Sequence, residues 1–347
     1  MNLLKLTQTL DSIDMQPNTT TNPSGNLASF AEVKAAILAG KCLSIAGDEQ
    51  LLRQLPAGQW IGGTIPYFMG QDGGKTTKDE LFMTEMPSFG QAVSISFYSL
   101  ANLHTVCRDA PENGYTLMVL PAFSDIHIYY AKEGPQFVDM FMKPIIGWVS
   151  GFHLGDSGAS AKVMNGRTLQ IDDKSAIVMH VALPDEKMAR VELVNLFKQG
   201  QGDVIRLPTA GFTAGNCSVN GKVMPLADYV TQNKIDTRLP LVADYSGAAI
   251  NVCIKEVRLE QKEVDFYGPL FPEVDYRFAA PIVDYVAQFK EAVPDEAFKA
   301  SFACNCILNY LYLELEGKKV SAVHGPVTFG EIAYQLVNQT MVYLIVE

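Results

Sequence analysis

Cys304-Asn305-Cys306 is the densest grouping of nucleophilic side chains in the chain. A thiolate there could attack an acyl carbon if a base stood beside it, as in a thiol-dependent hydrolase or transferase, and His324 in the following loop is the base nearest in sequence. The C-x-C spacing has neither the second cysteine pair of a zinc ribbon nor the two-residue spacer of a dithiol redox site. Buried structural thiols are the other reading of the same residues. The histidines His104, His127, His153, His180 and His324 never recur at the i, i+2 or i, i+4 spacings that put two imidazoles on one metal ion, so no metal site is expected. His127 and His180 lie in apolar runs that read as strands, where a hydrogen-bonded core histidine is expected. His104 and His153 stay open as pocket residues or as the axial ligand of a haem. Gly70-Gln-Asp-Gly-Gly-Lys75-Thr76 invites a phosphate-loop reading, but Met69 occupies the place of that motif's first glycine. A surface loop is expected there. No nucleophile elbow, kinase set or dinucleotide fingerprint occurs, so no catalytic residue is assigned.

A second constellation is polar. In Gly325-Pro-Val-Thr-Phe-Gly-Glu-Ile332 and Val337-Asn-Gln-Thr-Met341, Gly325 and Gly330 permit close backbone approach, while Thr328, Glu331, Asn338 and Gln339 supply donors and acceptors. Such a wall suits a small polar ligand. Glu331 reads either as a group that grips an amine or an internal arginine, or as the cap of a helix over 331–337.

The elements that must position these groups can be read from periodicity. Ser29-Phe-Ala-Glu32 is a capping box opening an Ala-rich helix that stops at Gly40, and a strand follows over 42–46. Further strands are predicted over 60–68, 92–98, 116–123, 144–149, 175–183, 191–197, 250–257, 264–271 and 341–346. Helices are predicted over 100–109, 137–142, 226–233 and 281–292, which makes the class α/β in the mixed α+β sense. Asn165-Gly166 and Asn220-Gly221 favour hairpins and hence some antiparallel pairing. The stretches 200–203 and 208–216 read as a crossing between lobes. The expected organisation is an N-terminal extension or linker over 1–28, one lobe over 29–207 and a second over 208–347, each with mixed, partly antiparallel sheets flanked by helices.

Composition narrows the partners. The chain has 347 residues, 48% of them hydrophobic, enough for two buried cores. Its 27 basic and 38 acidic residues give a net charge of −11, and no basic patch offsets it, so neither nucleic acid nor a membrane surface is expected as a partner. No run approaches the ~18 apolar residues of a membrane span. The start lacks a basic leader before an apolar stretch, and the 6 cysteines are scattered through apolar runs, which together point to the cytoplasm.

The C-terminal run resembles the closing pattern of the FIST domain family, in which G-x-x-[TS]-[FY]-G-E-I precedes H-N-Q-T and a final apolar strand. Val337 stands where that family has histidine, and Phe302-Ala-Cys-Asn-Cys306 falls where it shows a small-residue, cysteine-containing strand. Trp60-Ile-Gly-Gly-Thr64, Pro144-Ile-Ile-Gly147, the stretch 163–183 and the stretch 219–229 are similar to the family's other segments, in the family's order. The resemblance implies N-terminal and C-terminal FIST lobes and a sensory protein for a small-molecule ligand. Some FIST members bind haem. With no output domain of its own, such a protein would pass its state to a separate signalling protein. The expected ligand site lies between the lobes, lined by Gly62, Gly63, Thr64 and Gly147 and by Cys304, Asn305, Cys306, Thr328, Gly330, Glu331 and Asn338.

Overall fold

The computed structural model describes residues 24–245, 248–320 and 323–347. The chain start and the polar linker expected from residue 15 lie outside the described residues as far as residue 23. The last part of that linker is not irregular: Asn26–Ala28 is an edge strand, antiparallel to the strand Leu81–Glu85. A sheet edge with unpaired groups recruits these residues against their weak local preference. No helix among the described residues is long and apolar enough to cross a membrane.

The fold is mixed α/β, with five mostly antiparallel sheets and six α-helices among the described residues. Three six-stranded sheets form the body, and each contains one parallel pair. Parallel neighbours cannot be joined by a tight turn, so each pair carries a helical crossover. In the first, Leu43–Gly47 leads through the helix Glu49–Leu52 to Trp60–Thr64. In the second, Gly114–Pro121 leads through the helix Asp125–Glu133 to Ile145–Ser150. In the third, Phe302–Cys306 leads through the helix Ile307–Tyr312 to Gly325–Thr328. Gly114–Pro121 and Ile145–Ser150 are buried at every position, as expected of strands covered on both faces.

Residues 205–278 make a second unit. It contains a six-stranded sheet and a three-stranded sheet of Gly211–Ala214, Glu263–Leu270 and Ile254–Arg258, closed around an apolar core of its own. The chain enters and leaves this unit side by side. Gln199 and Ala279 form an antiparallel bridge, and the Gly200 N–H donates to the Phe278 carbonyl at 2.9 Å. Residues after it return to the body: Met341–Val346 pairs with Ala189–Val194, Gly325–Thr328 with Tyr67–Gly70, and Glu331–Ala333 with Ile145–Ser150. Strand pairing therefore crosses residue 207, and the second unit is inserted into the body.

Several local expectations hold. Ser29 Oγ accepts from the Glu32 N–H, and the Glu32 carboxylate accepts from the Ser29 N–H at 2.8 Å, closing the capping box on the helix Phe30–Leu38. Asn220 and Gly221, with φ of +48° and +86°, make the two-residue turn between Asn216–Val219 and Lys222–Pro225.

Others need correction. The stretches 100–109 and 137–142 do not form α-helices; one 3-10 turn, Leu103–Thr105, lies in the first, and a second, Gly134–Gln136, ends the helix Asp125–Glu133 just before the second stretch. The glycine-rich loop at 70–76 is a hairpin of Tyr67–Gly70 with Gly73–Thr76. The run containing His127 is the helix Asp125–Glu133, started by Ser124, whose Oγ accepts from the His127 N–H. The helix expected over 331–337 is instead a hairpin of Glu331–Ala333 and Gln335–Val337, because Glu331–Ala333 pairs with the Ile145–Ser150 strand.

Candidate functional site

Eight of the expected ligand residues gather in the body as a buried polar cluster around Glu331, which is 0% exposed. Its Oε2 accepts from the Thr340 N–H at 3.3 Å and from Thr340 Oγ1 at 2.9 Å, while its Oε1 is buried with no hydrogen-bond partner among the described residues. Burial pushes this carboxyl up to about 8. Thr328 Oγ1 donates to the carbonyls of Asn305 and Gly330, and Asn305 Oδ1 accepts from the Cys306 N–H and from Asn309 Nδ2. Cys304 Sγ donates to the Gly147 carbonyl at 3.5 Å, and the Asn338 carbonyl accepts from Asn251 Nδ2. These polar groups bond one another.

Gly62, Gly63 and Thr64 lie on the neighbouring sheet. A Cβ at Gly63 would stand 2.7 Å from the Trp148 ring, and one at Gly147 would run into the Met118 carbonyl. Both glycines are there for sheet packing. Thr64 Oγ1 donates to the Gly151 carbonyl at 2.7 Å, tying the ends of two strands together.

The thiols are not placed for nucleophilic chemistry. Cys304 and Cys306 are each 1% exposed, and burial, reinforced by Glu331, holds both well above the usual thiol range. Cys304 and His324 border the same crevice, whose volume of about 10 Å³ is close to that of one water. Among the described residues no group of three or more His, Cys, Asp or Glu side chains is placed to hold a metal ion.

A different site forms where the crossover strands end. Phe123 follows the strand Gly114–Pro121, Phe152 follows Ile145–Ser150, and Phe329 follows Gly325–Thr328. Their rings converge with centroids 5.4 to 6.4 Å apart. Ligands of α/β proteins bind outside the carboxyl ends of parallel strands, because the crossovers leave a crevice there. Here a cavity of about 510 Å³ opens between the body and the inserted unit. Phe123, His127, Ile128 and Lys132 line it from the body side, and Phe212, Thr213, Lys255, Arg258, Asp265, Phe266 and Tyr267 from the inserted unit. Its size lies within the ~300–1,000 Å³ of small-molecule sites. Phe123 takes a φ of +63°, a conformation that bulky side chains seldom adopt and that marks stored backbone strain.

His127 gives this wall its chemistry. The residue is 5% exposed, and burial pushes its imidazole down to about 4, so the ring is neutral near pH 7. Nδ1 accepts from the Phe123 N–H at 3.2 Å, which leaves the ring proton on Nε2. Nε2 is buried and has no hydrogen-bond partner among the described residues. His180 is the contrast: buried in its strand, it bonds Thr116 Oγ1 at 2.8 Å through Nδ1 and Tyr98 Oη at 3.1 Å through Nε2. One histidine is satisfied core. The other lines the cavity and keeps one buried nitrogen unbonded among the described residues.

The model of a family of unknown function, DUF6976, matches residues 28–347. The chain belongs to that family. The match runs through both the body and the inserted unit of this DUF6976 chain, so the cavity between them falls within the family's span. No curated protein matches the chain.

The two histidines considered for haem do not suit it in this DUF6976 member. His104 is an exposed residue of the short 3-10 turn. His153 stacks on Tyr67 at 5.9 Å and borders a pocket of about 180 Å³ that also carries Thr64, Asp48, Glu49, Asp156 and Lys162. That pocket is small and lined by charge, whereas a haem needs a large apolar cleft. None of the eleven expected ligand residues lines the 510 Å³ cavity. The signal that could have found it is Ser124-Asp125 after a long apolar strand, which reads as a strand-to-helix junction with His127 in the first turn.

Proposed function

We propose that the chain is a small-ligand-binding protein of the sensory kind, without catalysis of its own, and that its ligand sits in the 510 Å³ cavity between the body and the inserted unit. The observation that carries this reading is the cavity itself, which lies past the carboxyl ends of the crossover strands and is lined from both the body and the inserted unit. Burial of Cys304 and Cys306 supports the non-catalytic reading over a thiol-dependent enzyme. The resemblance of the C-terminal run to the FIST family fits the same role, and by it the bound state would be read by a separate signalling protein.

The test is a thermal-shift screen of the purified chain against amino acids, nucleotides and organic acids. A ligand present at about 100 times its dissociation constant should add roughly 2.7 kcal/mol of stability. Ile128, 37% exposed on the cavity wall, gives the control. Ile128→Trp should push a large ring into the space and weaken or abolish the shift while leaving the ligand-free melting temperature nearly unchanged. A hit that survives Ile128→Trp, or a screen without hits, would count against the reading.

A further inference from the structure

The cavity differs in sign from the molecule around it. Its wall carries three cationic side chains, Lys132, Lys255 and Arg258, against one carboxylate, Asp265, in a chain whose net charge is −11. Arg258 is already committed, since it pairs with Glu263 at 2.8 Å and with Asp265 at 2.9 Å. Asp265 is committed too, because it also accepts from Thr213 Oγ1 at 2.6 Å. Among the described residues, the charges of this wall without a carboxylate partner are therefore the two ammonium groups. Each is held over an aromatic ring: Lys255 Nζ lies 5.1 Å from the Phe123 ring centroid, and Lys132 Nζ 5.7 Å from that of Phe212. One of these cations comes from the body and the other from the inserted unit, so a molecule meeting both bridges the two. Aromatic rings beside two cations match a particular chemistry.

The geometry points to a flat, apolar or aromatic molecule with one anionic group, its ring against Phe123 and Phe212 and its charge near Lys132 and Lys255. This assignment rests on the reading of the cavity as the ligand site and adds the class of ligand. An ammonium-bearing molecule would meet two like charges. A small, fully polar molecule would leave the aromatic wall uncovered.

The experiment measures binding of three probes to the full chain by calorimetry at low ionic strength: 1-naphthoate, its methyl ester and 1-naphthylmethylammonium. Naphthoate should bind at least about tenfold more tightly than the other two, the scale of one charge-assisted contact in a partly desolvated site. Lys132→Met and Lys255→Met, changes in side chains that no buried hydrogen bond holds, should each weaken naphthoate by roughly three- to tenfold and leave the ester unaffected. Equal or tighter saturable binding of the ester or the ammonium, lost in Ile128→Trp, would overturn the anion assignment and leave the ligand site standing. Failure of all three probes to bind would overturn both.

Discussion

At Glu331 the fold keeps a carboxyl group out of water with hydrogen bonds to only one of its oxygens. Burial raises its folded-state value from 4.5 to about 8, so between those limits the folded protein holds a proton that the unfolded chain has lost. Stability must then fall as pH rises through that window, by up to about 1.4 kcal/mol per unit and on the order of 5 kcal/mol in all. Glu331→Gln removes the titration and keeps an acceptor for Thr340. Urea midpoints measured from pH 5 to 9 should slope downward in the wild type and be flatter in the variant, which should be the more stable protein at pH 8. Parallel slopes would show that Glu331 is not the group responsible. The sequence marked Glu331 as polar and chemically interesting. It could not distinguish a ligand contact from an internal one, because that depends on which strands cover it.

The elements that were legible are those whose signals are local. The helix Phe30–Leu38 carries its own stop and start, and Ser29→Ala should cost about 1 kcal/mol by leaving first-turn N–H groups unbonded. In a chain of this size that is a fall of roughly 1–2 °C in melting temperature, which Ser29→Asp should largely restore. A Ser29→Ala melting temperature equal to the wild type would mean that water replaces the cap at no cost. The helix Asp125–Glu133 was missed because the alternation Ile126, Ile128, Tyr130 also fits a strand, and only the parallel pairing of Gly114–Pro121 with Ile145–Ser150 requires a crossover there. The hairpin Glu331–Val337 was misread for the opposite reason. Its strands exist because the Ile145–Ser150 edge offers hydrogen bonds, and Tyr334 turns between them with a φ of +62°.

For the whole molecule the decisive fact is that residues 279–347 complete sheets begun before residue 200. A fragment ending at residue 207 lacks one of the two partners of Tyr67–Gly70, the sheet partner of Ala189–Val194 and one edge of the sheet containing Ile145–Ser150. It should show no cooperative unfolding transition and rapid proteolysis. Because the chain enters and leaves the inserted unit at Gln199 and Ala279, replacing residues 201–278 by a short Gly/Ser linker should leave the body folded, with a sigmoidal melt and loss of naphthoate binding. A folded 1–207 fragment would overturn this description of the body. The same arrangement suggests how a ligand would be sensed: a molecule held by Lys132 on one side and Lys255 on the other must bias the relative position of body and insert.

By itself the sequence determined what depends on near neighbours and on composition: the mixed class, the capped first helix, the Asn-Gly turns, the buried character of the thiol run and the final apolar strand. Those follow from φ preferences, hydrogen bonding within one turn, and the alternation of buried and exposed side chains. The tertiary structure alone decided that a unit is inserted at 205–278, that glycines 63 and 147 serve sheet packing, and that the polar C-terminal run closes on itself around Glu331. It also brought Phe123, His127 and Lys132 opposite Phe212 and Lys255. The reason is physical: a cavity wall built from strand ends of different crossovers has no period and no spacing along the chain. Its residues become neighbours only when the sheets pair.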